Sequence, residues 1–411
     1  MKKAIIIWAL LTFILPITII NTISERNLSM VSNTKEVFNS NIIDESAVYS
    51  KTFEVNLLPQ MSNRSSILAE AQTGKIIFEQ NSNEKYPIAS MVKIMTLNII
   101  FDSINNGKLK LSDVVEISHN AAGMGGSQAF LDVGEKYMVE TLIKTIIIAS
   151  ANDSCVALAE TISGSEEAFV TEMNNKAQKM EMKNTHYENC TGLPSLQEAY
   201  STAKDVFLCM KQLIQYNDYF KYSKIWMDEL VHPSGRITNL TNTNKLVKFY
   251  NGCDGGKTGF TNEAKHCLCA TASRNGLRLI SVVLGGVESK TRFADSSAML
   301  NYGFANFESK KMLMKEQIIA KIPIVQGILK EVEISSNKDL YLFGEKGKNK
   351  GEIRYDYPTS IKAPLNAGDK IGKVYVYNSD NQMVDSADII VNNTVKKATL
   401  WDKIKEILGG K

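Results

Sequence analysis

The sequence is poor in the residues that mark several large classes of protein. Only 8 Pro and 25 Gly occur in 411 residues, too few for a fibrous or low-complexity chain, while 44% hydrophobic residues suffice to build packed cores. Charge of one sign is scarce: 47 Lys plus Arg face 44 Asp plus Glu, a net +3, which excludes a nucleic-acid binder with a broad basic face. The four histidines, His119, His186, His232 and His266, are dispersed and form no HExxH set. Six cysteines, Cys155, Cys190, Cys209, Cys253, Cys267 and Cys269, show no CxxC spacing. They indicate no metal site and no particular pairing, and small buried thiols are expected. No internal repeat is present.

What the chain does contain divides it into segments. Lys2 and Lys3 precede the apolar run Ala4 to Ile20, the order of an export signal, so 1–24 reads as a signal peptide, with an uncleaved N-terminal anchor as the alternative because the small-residue site Thr22-Ile23-Ser24 is weak, and the protein is expected to work outside the cytoplasm. Residues 25–52, rich in Ser and Asn without apolar periodicity, read as a leader or linker. From 53 to 306 helical patterns alternate with strand-like runs such as Ser66 to Glu70, Lys75 to Glu79, Cys267 to Ser273 and Arg278 to Leu284, which predicts an α+β domain. Val139, Leu142, Ile143, Ile146 and Ile147 share one helical face and predict a buried helix ending near Ser150. Residues 307–394 carry short strands separated by Gly, Asn, Asp and Pro, the pattern of a small all-β domain. In 395–411, Leu400, Trp401, Ile404, Ile407 and Leu408 form an apolar stripe beside Lys396, Lys397, Lys403 and Lys405. That amphipathic helix either lies on a membrane surface or docks on its own domain; it is too short and charged to span a bilayer.

Three short motifs carry chemistry. Ser90-Met91-Val92-Lys93 opens an apolar helical run and places a hydroxyl and an amine three residues apart on one face. Ser150-Ala151-Asn152 falls where the apolar helix ends and another begins. Lys257-Thr258-Gly259 follows Gly255-Gly256 and precedes a strand-like run. Each is weak alone, and a polar first helical turn, an N-cap and a turn would account for them singly. The set in this order, with 60 residues from Ser90 to Ser150 and 107 from Ser150 to Lys257, is far more specific.

That set is the SxxK, SxN, KTG signature of penicillin-binding proteins and serine β-lactamases. The chain resembles the D-alanyl-D-alanine carboxypeptidases of low molecular mass, the S11 family of serine peptidases. The likeness extends to Pro87-Ile88-Ala89-Ser90-Met91-Val92-Lys93, Met182-Lys183-Asn184-Thr185-His186, Tyr200-Ser201-Thr202-Ala203, Asn242-Thr243-Asn244-Lys245-Leu246 and Asp254 to Thr261. It implies a β-lactamase/transpeptidase-like catalytic domain, then a small all-β sandwich domain, then a C-terminal amphipathic helix anchoring the chain to the outer face of the cytoplasmic membrane. It implies no cofactor and no metal. The partners implied are peptidoglycan stem peptides ending in D-Ala-D-Ala, β-lactam antibiotics as covalent inhibitors and a membrane surface; oligomeric state is left open.

By resemblance, Ser90 is the nucleophile that forms an acyl-enzyme and Lys93 its base, with a pKa lowered by burial and by the cation of Lys257. Ser150 would bridge the two lysines and pass a proton to the leaving D-alanine. Asn152 would orient Lys93 and bind the substrate amide, and the backbone N–H groups of Ser90 and Phe260 would form the oxyanion hole. Arg292, with Thr258 of the Lys257-Thr258-Gly259 strand, would bind the terminal carboxylate. In the loop Gly123 to Gln128, Gly-Gly-Ser-Gln replaces the family's more usual Gly-Ser-Ser, and Cys190 stands where the family often has proline. A serine β-lactamase would share the three motifs, but no Glu-x-x-Leu-Asn segment lies between Ser150 and Lys257. An inactive peptidoglycan-binding module is the other alternative.

Overall fold

The computed structural model describes residues 60–195 and 199–407, so the segments 1–24 and 25–52 and the end of the tail lie outside the described residues. An antiparallel sheet forms the centre of the first domain. It comprises β1 (Ser65–Glu70), β2 (Ile76–Gln80), β3 (Cys253–Thr261), β4 (Lys265–Arg274) and β5 (Leu277–Gly286), in the spatial order β2-β1-β5-β4-β3. Its first two strands come from the start of the domain and the other three from its end. The residues between them build a helical layer on one face.

Three of those helices place the motifs. Helix α1 (Lys93–Asn105) is apolar on nearly all sides and buried on nearly all sides, as such a composition requires. Helix α2 (Val139–Ala149) buries Leu142, Ile143, Ile146 and Ile147. It stops at Ser150, whose left-handed backbone (φ 64°) breaks the helical run. Helix α3 (Asn152–Ser163) then starts two residues later. Helix α4 (Ala203–Leu213) packs on β1 and β5 from this layer. Helix α5 (Ser289–Asn306) covers β4 and β5 as well. Gly303 lets α5 approach closely: a Cβ there would stand 2.5 Å from Leu279 Cδ1 and 3.1 Å from Leu68 Cδ2.

The second domain begins without a spacer, because α5 ends at Asn306 and β6 (Phe307–Leu313) follows at once. β6 pairs with β9 (Leu340–Glu345) as a two-stranded ribbon. Six further strands form the opposing layer: β7 (Ile318–Val325), β8 (Glu331–Ser336), β10 (Gly351–Asp356), β11 (Ile361–Lys362), β12 (Lys370–Asn378) and β13 (Met383–Val391), ordered β10-β12-β13-β8-β7-β11. Leu340 and Leu342 of the ribbon share one core with Ile334, Val374, Val376, Ile389 and Val391. The fold is therefore α+β followed by an unequal β-sandwich. Residues 395–398 also take part in β pairing, through the bridges Leu365 to Val395 and Gly327 to Lys397, so the final helix α6 begins only at Leu400 and runs to Ile407. Its Leu400 and Trp401 are exposed and not docked on the domain.

The tight fit at Gly303 yields a stability prediction. Gly303→Leu should overpack the α5–sheet contact and lower the unfolding free energy by about 2 kcal/mol in guanidinium titration; an unchanged midpoint would mean that the helix can lift away at no cost.

Candidate active site

The serine of the first motif sits on a short 3₁₀ turn, Ala89–Val92, that leads into α1. A three-residue period eclipses positions i and i+3, and Lys93 Nζ accordingly lies 3.0 Å from Ser90 Oγ. The turn is held in an unusual conformation, with Ala89 in the left-handed region at φ 48°. Two glycines grip it from either side. A Cβ on Gly192 would come within 2.1 Å of Ala89 O, and one on Gly259 within 2.6 Å of Ile88 O. Contact this close between backbones fixes the Ser90 hydroxyl relative to strand β3.

Lys93 is fully buried, and its amine has three partners: Ser90 Oγ, Asn152 Oδ1 at 2.6 Å and the Thr191 carbonyl at 2.6 Å. The amide of Asn152 is oriented by its other end, since Nδ2 donates to Gly125 O at 2.6 Å. Asn152 therefore presents only an acceptor to Lys93, and a carbonyl can do nothing else. As an ammonium, Lys93 has three N–H donors, one for each of these acceptors; loss of one proton would leave two donors and a lone pair. Burial holds the Lys93 pKa below the ordinary lysine range. Burial, followed by the nearby Lys93 charge, holds that of Lys257 well below it.

The remaining predicted residues converge on the same place. Lys257, Thr258, Gly259 and Phe260 lie on β3, the edge strand of the sheet. Lys257 is buried and donates to its neighbour's carbonyl, Thr258 O, at 2.9 Å. Arg292, near the start of α5, donates from Nη1 to Gly259 O at 3.1 Å and Cys267 O at 3.2 Å, with Nη2 toward Ser289 Oγ at 3.4 Å on an exposed side. Phe260 is half exposed and stacks on His266 at 4.4 Å between ring centroids. Ser150 departs from the expected bridge between the lysines: its hydroxyl is buried and has no hydrogen-bond partner among the described residues. It occupies a left-handed position at the α2–α3 break.

Sequence reasoning missed the residues that hold these groups. Asn189 Oδ1 accepts from Thr191 N at 3.1 Å, Thr191 Oγ1 at 3.1 Å and Gly192 N at 2.6 Å, while its Nδ2 donates to Leu193 O at 2.9 Å. One side chain thus sets both the carbonyl that binds Lys93 and the glycine that grips Ser90. The Asn-Cys-Thr-Gly spelling at 189–192 was the available signal, because asparagine commonly bonds to the backbone two residues on. Asp153 was also missed: its carboxylate accepts from Ala129 N at 2.9 Å and Leu131 N at 3.2 Å, tying the loop that contains Gly125 to α3. All six cysteines are free and buried. Burial pushes the Cys155 thiol, one turn from Asn152, up to about 12, which disfavours its thiolate form. Among the described residues no cluster of His, Cys, Asp and Glu could hold a metal ion.

Next to Ala89, the residue before Ser90, opens a cavity of about 310 Å³ with an apolar wall of Ile88, Val92, Leu193 and Pro194 and a polar edge of Thr261 and Glu263; Ser90 itself does not line it. A wider cleft of about 910 Å³ lies between the hairpin turn at 73–76 and the β domain, and holds none of the motif residues.

Comparison with known proteins places these features among relatives. The model of the family described as D-alanyl-D-alanine carboxypeptidase matches residues 51–288, and that of the penicillin-binding protein 5 C-terminal domain matches 307–397. The chain is 38% identical over 348 residues to the D-alanyl-D-alanine carboxypeptidase DacF of Bacillus subtilis, covering 84% of this chain and 89% of that one. It is 31% identical to DacA of Escherichia coli K12, a protein with the same activity in its name, over 84% of this chain and 87% of the other. The solved structure of penicillin-binding protein 5 from Haemophilus influenzae superposes with a TM-score of 0.68 at 31% identity, covering 82% of this chain and 99% of that one.

The asparagine network makes a direct prediction. Asn189→Ala should lower the unfolding free energy by about 1–3 kcal/mol, whereas Asn189→Asp, which keeps the acceptor, should retain most of the stability in the same denaturant titration. Equal losses would show that the three bonds to Oδ1 are not what holds the segment.

Proposed function

The chain belongs to the D-alanyl-D-alanine carboxypeptidase family, and from that premise we propose that Ser90 carries an acyl-enzyme formed from peptidoglycan stem peptides ending in D-Ala-D-Ala. The protein is a D-Ala-D-Ala carboxypeptidase of the penicillin-binding type, a hydrolase acting on the cell wall. The observation that carries the mechanistic reading is the partner set of Lys93: two fixed acceptors and the Ser90 hydroxyl.

In the first step the lone pair of neutral Lys93 takes the proton of Ser90 as Oγ attacks the carbonyl carbon of the terminal peptide bond. Negative charge develops on the carbonyl oxygen, where the N–H groups of Ser90 and Phe260 stabilise it. Collapse breaks the C–N bond, and the departing amine leaves as D-alanine with the proton from Lys93. Ser150, whose buried hydroxyl has donor and acceptor capacity to spare, relays that proton. Water then cleaves the Ser90 ester with the same groups, and the second product is the shortened stem.

Specificity for a terminal residue follows from charge. The exposed side of the Arg292 guanidinium, together with Thr258, binds the free carboxylate that only a chain end possesses. Strand β3 is an open edge to which an extended peptide can add as another strand. The apolar cavity next to Ala89 receives the acyl side of the substrate. A β-lactam presents the same carboxylate and a reactive amide, and acylates Ser90 in the substrate's place.

The protein works at the outer face of the cytoplasmic membrane, exported by 1–24 and held by the amphipathic tail. Support comes from the exposed Leu400 and Trp401 on α6.

Three outcomes test this reading. Intact mass after incubation with a penicillin should show one adduct that Ser90→Ala abolishes, and D-alanine should be released from a D-Ala-D-Ala peptide by the parent protein alone. Neither adduct nor release would overturn the proposal. Because the base is a lysine with a lowered pKa, acylation should rise with pH through a midpoint below the ordinary lysine range and level off above it; a rate independent of pH would exclude Lys93 as the base. Arg292→Gln should reduce kcat/KM on the peptide roughly 10- to 100-fold, the worth of a hydrogen bond to a charged group, with little change for a substrate amidated at its C-terminus.

A further inference from the structure

At one end of the β domain, backbone pairing collects exposed apolar side chains that the catalytic site does not use. The turn joining β7 to β8 exposes Val325, Ile328 and Leu329, at 49%, 51% and 45%. Such a turn would ordinarily be polar. This one is held firmly: Ile324 N donates to Lys330 O at 2.8 Å, and a Cβ on Gly327 would meet Ile324 Cγ2 at 2.6 Å and Val395 Cγ1 at 3.1 Å. Its apolar tips are therefore presented by a rigid scaffold.

The chain end is bound to the same turn. Ile328 N donates to Lys396 O at 3.0 Å and Ala398 N to Gln326 O at 2.8 Å, around the bridge between Gly327 and Lys397. Only Thr399 separates that anchored residue from α6, and it caps the helix through Asp402, with Oγ1 donating to Oδ2 at 2.7 Å and accepting from Asp402 N at 3.2 Å. Leu400 and Trp401 thus start within roughly 7–10 Å of chain from the turn. Lysines border the surface. Lys396 and Lys397 are exposed, and Lys362, also exposed, is the register partner of Val325. Glu331, opposite Pro323, is the exposed acid at the start of β8.

We propose that the turn Val325–Leu329, bordered by Lys362, Lys396 and Lys397, is a second membrane-contacting element that enters an anionic lipid surface together with the first turn of α6. The inference rests on the peripheral-anchoring reading of the tail and extends it from a helix to a two-part surface with a defined orientation. Apolar tips enter the headgroup boundary while the surrounding ammonium groups meet lipid phosphates.

The test uses the full-length chain bound to vesicles of phosphatidylglycerol and phosphatidylcholine that carry a nitroxide-labelled lipid. A bimane fluorophore is placed on Leu329→Cys, on Trp401→Cys, or on Met383→Cys at the far end of strand β13, the native thiols being buried. Probes at 329 and 401 should lose most of their fluorescence and that at 383 should keep it, while replacing Lys362, Lys396 and Lys397 together by Gln should restore the signal at 329. Quenching at 401 without quenching at 329 would overturn the proposal and leave helix anchoring standing. Quenching at neither would overturn both. Equal quenching at 329 in vesicles of phosphatidylcholine alone would overturn the role given to the lysines.

Discussion

The catalytic half of this molecule is organised around one buried nitrogen. Placing a lysine amine out of contact with water is costly unless its donors are satisfied, and Lys93 meets that demand with a side-chain amide and a backbone carbonyl from two separate segments. Each of those partners is itself fixed: Asn152 by the Gly125 carbonyl, and Thr191 by Asn189. The α2–α3 break, the loop at 123–131 and the segment at 189–193 are thereby tied to one atom. The same burial that makes the tie necessary lowers the pKa of the amine, the shift that the proposed role of a base requires.

Strand β3 supplies the other fixed reference. Its glycine at 259 brings the Ile88–Ser90 backbone against the strand, while Arg292 binds the strand's carbonyl beside the open edge. The groups proposed as nucleophile, oxyanion donors and carboxylate clamp are thus measured from one piece of backbone.

Much of this was legible in the sequence. The apolar stripe of α2 and its end at Ser150, the strand-like runs of the sheet and the β texture beyond 307 all correspond to elements of the fold, because local patterning decides them. The three motifs point to the proposed chemistry because that chemistry resides in side chains. The supports did not announce themselves. Gly125 and Thr191 contribute carbonyls, which every residue type possesses, and Asn189 acts through a turn whose importance appears only when Lys93 arrives from about 100 residues away in sequence. Ser150 is legible as the residue at the helix break, whereas the state of its hydroxyl, buried without a hydrogen-bond partner among the described residues, arises from packing that no local pattern carries. Likewise the tail's pairing with Gln326 to Ile328 is a tertiary contact that no periodicity in 395–411 encodes.

The direct passage from α5 into β6 carries a mechanical meaning. Helix α5 bears Arg292 near its start, and at its end the first strand of the β domain follows with no intervening residue. Lys346 Nζ at 2.6 Å from Phe304 O and the stacked rings of Phe307 and Phe343 stiffen that junction. An 18-residue helix is roughly 27 Å long, so the site and the β domain stand on one strut. Motion at the clamp end of the helix is therefore motion of the first strand of the β domain as well, because no flexible residue stands between them to absorb it.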